Sequence, residues 1–283
     1  VDSTRFYGLK DPVKEYVSKA LSILPKNSYK FKKSSSCISD FLDHKYLKDH
    51  RVFSKFITLH VRGSSRDDPN SINTPARNAS ISSYIESIKF LVNLGFNVVR
   101  IGDYKSAEIP YINGFIDTTQ FRRDNNQDIG LLANAKFHIG TSSGPINVPP
   151  LFSVPVLLTN SVRPLSQSRF PMSFAISKRC LNTISKKFMS YSSFLKSDIV
   201  FEEQRRVFKN NNFLMDNSSE EIIEAVRDMV KLIDVMEKDF KNAEKIYMEN
   251  LKNYEDFLEK YDIERFDDHM PLAPSFLKKI EEI

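Results

Sequence analysis

An apolar strand, an amphipathic helix and a second apolar strand follow one another in residues 55–102, and this succession limits the fold more than any other feature of the sequence. The first strand, residues 55–62, is almost entirely apolar until His60, as in strands whose two faces are both covered. Residues 96–102 form the second strand. Two strands joined through a helix lie parallel with a right-handed crossover, so the sequence predicts a parallel sheet.

The helix between these two strands has its own sequence signals. Its apolar residues recur at helical spacing, at Ile81, Tyr84, Ile85, Ile88 and Leu91. Ser83 and Glu86 have the spacing of a capping box, which predicts the start of the helix. Gly95 is expected to end the helix in the left-handed conformation.

Strand and helix patterns continue to alternate after residue 102. We predict strands near residues 114–117, 136–140 and 155–159, a helix that starts at Asp124 or Asn126 and runs through Ala135, and a short helix opened by Pro145. Residues 160–217 are rich in Ser, Arg and Lys and are expected to be irregular.

The C-terminal part of the sequence is helical in pattern. Ser218 and Glu221 form a second capping box, which opens an amphipathic helix that reaches about Met236. A further helix is predicted over residues 238–261, and residues 271–283 are expected to fold back.

These elements together predict an α/β fold, in which a doubly wound, mainly parallel, Rossmann-like sheet has helical segments at both ends. We divide the chain into an N-terminal helical segment (1–52, with a helix at 9–24), a Rossmann-like domain (53–217) and C-terminal helices that pack on it (218–283). Ligands of such sheets bind at the carboxyl ends of the strands, near the point where the strand order reverses.

The composition excludes several classes of protein. Of 283 residues, 41% are hydrophobic and 27% charged, as in ordinary globular proteins, and no run of about 18 apolar residues suggests a membrane span. Cys37 and Cys180 form no disulfide framework, which fits a reducing, cytoplasmic location. The net charge of +5 reflects either a lysine-rich surface or attraction to anionic substrates, phosphates or a membrane face. No basic stripe with interleaved aromatic residues indicates a nucleic-acid partner.

Arg62, at the end of the first strand, is the strongest single candidate for a functional residue. Its guanidinium stays charged and can bind two phosphate oxygens at once, although it could instead pair with a carboxylate. Thr141, Ser142, Ser143 and Gly144 form a small-residue turn after a later strand, which would let a ligand approach the main chain. The helix opened by Pro145 would favour an anion there, or the turn could be an ordinary N-cap.

Other polar residues are placed where they could join this site. His60 shares a strand face with Arg62 and could act as a general base, orient the arginine or be structural. Asp67 and Asp68 could accept a proton from an acceptor hydroxyl or be solvated loop acids. Arg77, Asn78 and Asp103 could reach the same crevice, Asp103 as a partner of a sugar hydroxyl or as a turn cap. The five histidines lack metal-ligand spacing, and no D-x-D triplet occurs, so no metal site is predicted.

Four segments in order resemble a family of bacterial glycosyltransferase-like proteins from surface-polysaccharide gene clusters. They read LHVR at 59–62, RNASISSY at 77–84, LGFNVVRIGD at 94–103 and FHIGTSSGP at 137–145, and PSFL at 274–277 resembles the C-terminal signature of that family. The first and fourth segments are also similar, more distantly, to the fucosyltransferase superfamily of GT-B architecture, whose H-x-R arginine binds the donor diphosphate.

This resemblance implies a metal-independent, inverting glycosyltransferase that needs no cofactor and takes a nucleotide-sugar as donor. Arg62 and residues 142–144 would hold the donor phosphates. Ser65 stands where fucosyltransferases often carry an acid, and this departure counts against fucose as the donor sugar, so the expected enzyme is a hexosyl- or fucosyltransferase-like one. Residues 1–52 are too few for a complete acceptor domain, so either that half is reduced to helices or this chain is the donor half of something longer.

The sequence therefore leads to a principal hypothesis and alternatives. The principal one is a nucleotide-sugar-dependent transferase that acts on a glycan or lipid-linked acceptor in cell-surface polysaccharide synthesis, in the cytoplasm or at the inner membrane face. One alternative is a non-catalytic scaffold that binds a phosphorylated ligand or a partner protein. A basic nucleic-acid binder is the third reading, and steep salt dependence would mark it.

Overall fold

Six parallel strands form the main sheet of the protein. The structure, a computed structural model, describes residues 55–63, 74–103, 106–120, 125–165, 170–201, 205–264 and 269–281. The predicted N-terminal segment 1–52 and its helix at 9–24 lie outside these residues. The strands are β1 (Phe56–His60), β2 (Asn97–Ile101), β3 (Phe115–Asp117), β4 (His138–Gly140), β5 (Val156–Ser161) and β6 (Phe174–Ser177). Each pair of neighbours is parallel, which confirms the predicted class of fold.

The order of the strands across the sheet is β3-β2-β1-β4-β5-β6. The chain moves outward from β1 to β2 and β3, and then returns to the other side of β1 to form β4, β5 and β6. Thr58 in β1 pairs with Val99 in β2 on one side and with His138 in β4 on the other. The order thus reverses between β1 and β4, and their carboxyl ends flank the crevice where doubly wound sheets bind ligands.

Alternate residues of the central strands face two separate cores. Phe56 packs with Leu131 and Leu132 of helix α2 (Asn125–Asn134) in the smaller core. Ile57 and Leu59 belong to the larger core on the opposite face, which also contains α1 (Ile85–Asn93). Helices therefore cover both faces, and this burial explains why β1 is apolar on both faces, at Phe56 on one and at Ile57 and Leu59 on the other.

The start of α1 differs from the prediction, whereas its end agrees. A 3-10 turn, Ile81–Tyr84, precedes the helix, so Ser83 lies inside the turn and makes no capping hydrogen bond. Glu86 instead pairs with Lys89 at 2.9 Å. At the other end, Gly95 has a φ of 80°, and its N–H donates to the carbonyl of Val92 at 2.8 Å. The predicted left-handed cap is confirmed.

The segment after β4 contains no α-helix. It forms two 3-10 turns, Gly144–Asn147 and Pro149–Phe152, so the predicted short helix is wrong in type. Pro149 and Pro150 lack N–H groups, so an α-helix that began at Gly144 could not continue its hydrogen bonds through them.

The prediction of an irregular region at residues 160–217 is also wrong. This region supplies β6 and helix α3 (Tyr191–Leu195). It also forms a three-stranded antiparallel sheet in the order β7-β9-β8, with β7 at Arg179–Asn182, β8 at Val207–Phe208 and β9 at Asn212–Met215.

Three helices complete the described chain: α4 (Ser219–Lys238), α5 (Phe240–Lys260) and α6 (Pro274–Glu281). The capping box of Ser218 and Glu221 at the start of α4 is present, as predicted. Helix α4 packs against α1, β5 and β6. Residues before α6 fold back on β6, where Ala175 donates to the carbonyl of Pro271 and accepts from the N–H of Ala273, each at 2.9 Å. None of the described helices is long and apolar enough to cross a membrane.

Candidate functional site at the carboxyl edge of the sheet

The ends of β1 and β4 are tied together by two hydrogen bonds. The backbone N–H of Arg62 donates to Thr141 Oγ1 at 3.0 Å. The N–H of Thr141 donates to the carbonyl of His60 at 3.2 Å. The two segments that the sequence singled out, 60–62 and 141–144, therefore lie side by side at the point where the strand order reverses.

His60 connects β1 to the turn after β4. Its Nδ1 is hydrogen-bonded to Ser143 Oγ at 2.9 Å, and its side chain is almost fully buried. Burial lowers the pKa of His60 to about 4, and the charges of Arg100 and Arg62 act in the same direction. The imidazole is therefore neutral at neutral pH and a weak proton acceptor. This geometry favours a positioning role for His60 over that of a general base.

Two arginines flank the turn of residues 141–144. Arg77 Nε donates to the carbonyl of Ser142 at 2.8 Å, which brings the segment before α1 against the turn. Arg62 Nη1 donates to the carbonyl of Thr74 at 3.1 Å. Both residues are partly exposed; the Arg77 guanidinium lies against the turn itself, and that of Arg62 is held at Thr74, in the segment that also carries Arg77.

The backbone of the turn supplies further hydrogen-bond donors. Within the described residues, the N–H groups of Ser142, Ser143 and Gly144 donate to no acceptor. Ser142 and Ser143 are partly exposed and Gly144 is exposed, so a ligand can approach this stretch of main chain. Because a 3-10 turn follows in place of a helix, the donors here are individual N–H groups and the predicted helix dipole contributes little.

Three of the predicted binding residues occupy supporting positions. Thr141 is fully buried and its hydroxyl accepts from Arg62, so its side chain holds the two strand ends together. Asn78 is also buried, and its carbonyl accepts from Lys178 Nζ at 2.7 Å. Asp103 is exposed beyond β2, where its carbonyl accepts from Ser106 Oγ at 2.7 Å. Asp67 and Asp68, the predicted bases, lie outside the described residues.

A cluster of charged residues next to this edge was missed by the sequence interpretation. Lys178, directly after β6, is completely buried and pairs with Asp216, and Arg206 Nη2 bonds the same Asp216 oxygen at 2.8 Å. Arg206 Nε also donates to the carbonyl of Pro75 at 2.8 Å, and Nη2 donates to that of Asn78. The cluster therefore holds the segment that carries Arg77.

The ionisation of Lys178 reflects its burial. Loss of hydration lowers the pKa of the Lys178 ammonium to about 8, while the Asp216 carboxylate opposes this change and Arg206 adds to it. A signal was present in the sequence, because a lysine directly after the buried strand FAIS is rarely placed there without a partner. The expectation of an irregular region concealed it, since no strand was predicted at residues 174–177.

A chain of hydroxyl groups supports the last residue of β4. Asn160 Nδ2 donates to Tyr84 Oη at 2.9 Å, Tyr84 Oη and Thr159 Oγ1 lie 2.6 Å apart, and Thr159 Oγ1 donates to the carbonyl of Gly140 at 3.1 Å. The Thr159 hydroxyl donates its single proton to the Gly140 carbonyl, so the Tyr84 hydroxyl is the donor in the hydrogen bond between Tyr84 and Thr159. Burial raises the pKa of Tyr84, which outweighs the opposite effect of its hydrogen bonds to Thr159 and Asn160.

Metal ligands do not gather within the described ranges, where no three His, Cys, Asp or Glu side chains come together as a metal site would require. Asp67 and Asp68 are outside these ranges, and the metal independence of the protein stays a prediction.

Part of this chain is similar in structure to solved glycosyltransferase structures. The chain matches no protein-family model and no curated protein. Solved structures that resemble it include the iron-containing dodecameric glycosyltransferase TibC from enterotoxigenic E. coli H10407, and the heptosyltransferase TibC in complex with ADP-D-beta-D-heptose. In both, identity is 21%, the TM-score is 0.32, and the match covers 42% of this chain and 30% of TibC. A similarity of this extent carries no conclusion about activity.

Proposed function

We propose that the protein is a nucleotide-sugar-dependent glycosyltransferase whose donor diphosphate binds between Arg62, Arg77 and the turn of residues 142–144. One observation carries this proposal: where the strand order reverses, between β1 and β4, Arg77 contacts a turn with three N–H groups that donate to no described acceptor, and the segment of Arg62 is hydrogen-bonded to that turn. A diphosphate needs this combination of delocalised charge and main-chain donors. The surplus of positive charge in the chain, +5, also favours an anionic substrate.

The proposed reaction is a single displacement at the anomeric carbon. An acceptor hydroxyl forms the new C–O bond as the bond to the donor phosphate breaks, which inverts the configuration. Arg62 stabilises the negative charge that develops on the departing diphosphate. Asp67 or Asp68 accepts the hydroxyl proton, since the low pKa of His60 makes it the weaker candidate. The step requires no metal ion. Transfer of a hexose or fucose to a glycan or lipid-linked acceptor of the cell surface is part of this proposal.

Replacement of Arg62 tests the role of the guanidinium. Arg62→Ala is expected to lower turnover more than about a hundredfold, since loss of a hydrogen-bonded charge in the transition state costs about 2.7–4 kcal/mol. Donor hydrolysis and transfer are measured for UDP-, GDP-, CMP- and dTDP-sugars, after a thermal-shift screen of the nucleotides has selected the donor. Because Arg62 also bonds the carbonyl of Thr74, the melting temperature of the variant is recorded as well.

Arg227→Ala is the matched control for this experiment. Arg227 lies on α4, where its side chain is 44% exposed and pairs with Glu224 of the same helix. The control is expected to keep full activity. Near-normal turnover in a folded Arg62→Ala protein would contradict the proposed role of Arg62.

A second candidate function is a binding module without turnover. Two observations favour it: both arginines already bond main-chain carbonyls, and the imidazole in the crevice is a weak base. Calorimetry separates the two functions. Nucleoside diphosphate binding that depends on Arg62, with no donor hydrolysis over long incubation, would identify a binding module; the same binding with slow hydrolysis would identify the enzyme.

A further inference from the structure

The small antiparallel sheet has one face in the core of the protein. Cys180 in β7 pairs with Leu214 in β9, and both are completely buried in the larger core. Directly opposed residues of an antiparallel pair project to the same face, and neighbours along a strand project to opposite faces. The residues that alternate with Cys180 and Leu214 therefore point away from the core.

The opposite face carries a row of four apolar side chains. Phe188 is bridged to Leu181, Leu181 pairs with Phe213, and Phe213 pairs with Val207, so the row crosses the whole sheet. Val207 is 65% exposed, and Ile184, in the turn after β7, is 73% exposed. None of these five side chains belongs to either hydrophobic core of the described residues. We call this set the outer face.

The charged residues of the two segments that build the outer face are all cations. Residues 179–190 and 205–214 contain six lysines and arginines and no acid. Arg179 is paired with Glu221 and also stacks on the Phe188 ring at 4.0 Å, and Arg206 is paired with Asp216. The remaining cations include three exposed lysines, Lys186, Lys187 and Lys209. The exposed apolar residues and the exposed lysines thus belong to the same two segments, and neither segment contains an acid.

We propose that the outer face is a docking surface for an anionic lipid bilayer. Ile184, Val207 and Phe188 would enter the interface between headgroups and acyl chains, and the lysines would contact lipid phosphates. A second copy of the chain is a poorer occupant, because a two-fold contact would set the same lysines against each other. A single-stranded nucleic acid would match the charge, but the two most exposed side chains, Ile184 and Val207, have no ring on which bases could stack, and Arg179 already stacks on the Phe188 ring.

A chain neighbour of the outer face contacts the segment beside the candidate site. Arg206, one residue before β8, donates to the carbonyl of Pro75 in the segment that carries Arg77. Bilayer docking does not depend on the proposed transferase activity, and a failure of either proposal leaves the other intact.

Vesicle co-sedimentation of the whole chain tests the docking. Vesicles of phosphatidylcholine alone are compared with vesicles that also contain phosphatidylglycerol, at low and high salt. We expect binding to the anionic vesicles, weakened by salt. Each lysine near a bilayer contributes about a fivefold factor in partitioning, so replacement of three should weaken binding roughly a hundredfold. The first variant therefore combines three substitutions: Lys186→Gln, Lys187→Gln and Lys209→Gln.

A matched control keeps the net charge equal. It removes three exposed lysines of α5 with the substitutions Lys241→Gln, Lys245→Gln and Lys252→Gln. A third variant, Ile184→Ser with Val207→Ser, removes apolar contacts and leaves the charge unchanged. All these side chains are exposed, so melting temperatures should stay near that of the unaltered chain.

The pattern of binding decides between the outcomes. Loss in the first and third variants with retention in the control supports the docking surface. Equal weakening in the first variant and the control would reduce the effect to net charge and overturn the proposal, as would a lack of binding to anionic vesicles. Self-association that the third variant abolishes, without vesicle binding, would assign the outer face to a second copy.

Discussion

Gly140, the last residue of β4, offers a sharp test of how the candidate site is packed. Its backbone is outside the left-handed region, so alanine can adopt the same conformation. The new Cβ, however, would lie 2.6 Å from His138 Nε2 and 3.1 Å from His138 Cδ2. His138 is fully buried, and its Nδ1 is hydrogen-bonded to Thr58 Oγ1 at 2.9 Å, so the ring cannot turn aside without losing that bond.

These contacts give the size and the sign of the effect. Forcing one methyl group into a filled core costs about 1–3 kcal/mol, so Gly140→Ala should lower the free energy of unfolding by that amount. With His138→Ala in the background, the clash disappears. The substitution then mainly reduces the freedom of the unfolded chain, which stabilises proteins by about 0.4–1 kcal/mol. Gly140→Ala should therefore reverse its sign between the two backgrounds.

Urea unfolding followed by circular dichroism measures this reversal, since the chain has no tryptophan for fluorescence. Four proteins complete the cycle: the unaltered chain, each single variant and the double variant. Gly63→Ala is the control, because no atom of the described residues lies within 4 Å of its added Cβ, and it should change stability by less than about 0.5 kcal/mol. Equal destabilisation by Gly140→Ala in both backgrounds would refute the assigned clash.

Polar groups with defined surroundings give three further predictions. Asp216→Ala should lower the free energy of unfolding by about 3–5 kcal/mol, because it leaves the ammonium of Lys178 buried without its carboxylate partner. Denaturant unfolding measures this change, and a decrease below about 1 kcal/mol would contradict the prediction. Ser218→Ala should cost about 1 kcal/mol through loss of the α4 cap, and Ser218→Gly only a few tenths, in the same assay. Burial lowers the pKa of His60 to about 4 and that of His138 to about 3, so the unfolded chain binds more protons below pH 6.5. The folded chain therefore loses stability as the pH falls from 6.5 toward the pKa values of the folded state, on the order of 2 kcal/mol per histidine by about pH 5. Melting temperatures of the unaltered chain and of His138→Gln, recorded as a function of pH, measure this loss. If both proteins lost the same stability in acid, the assignment to His138 would be contradicted.

The parts of the fold that depend on local patterns could be predicted from the sequence. The β-α-β unit, the Gly95 cap and the capping box at Ser218 each depend on residues within a few positions of one another. Ser83 shows where local reasoning fails, since its spacing to Glu86 suited a cap but the chain enters α1 through a 3-10 turn. Ile81 and Tyr84 pack in the core from within this turn. The spacing of the apolar residues does not show whether the chain enters the helix through an α-helical or a 3-10 turn.

Long-range pairing limited the prediction between residues 160 and 217. Each strand of the small sheet is at most four residues long, and Arg179 and Asn182 would look polar and exposed in any local window. Their structure depends on partners about thirty residues away, such as Asn212 for Asn182. For the same reason the pairing of Lys178 with Asp216 could not be predicted.

For the candidate site, the sequence identified the segments but not the role of each side chain. The neighbourhood of Arg62 and Thr141 follows from the rule that parallel strands end at one edge. The burial of Thr141 and Asn78 and the low pKa of His60 depend on neighbours from β2, β6 and the loop before α1. These are properties of the assembled edge, and only a folded chain displays them.

The short stretch before α6 has a consequence for handling the protein. It occupies hydrogen-bonding groups of Ala175 on the outermost strand β6, which would otherwise present a flat apolar edge open to pairing with other molecules. Removal of residues 270–283 should therefore cause aggregation through β6 even if the remaining sheet forms. Any shortened version of the protein for crystallisation or screening should therefore retain these residues, because they cover the edge strand of the sheet.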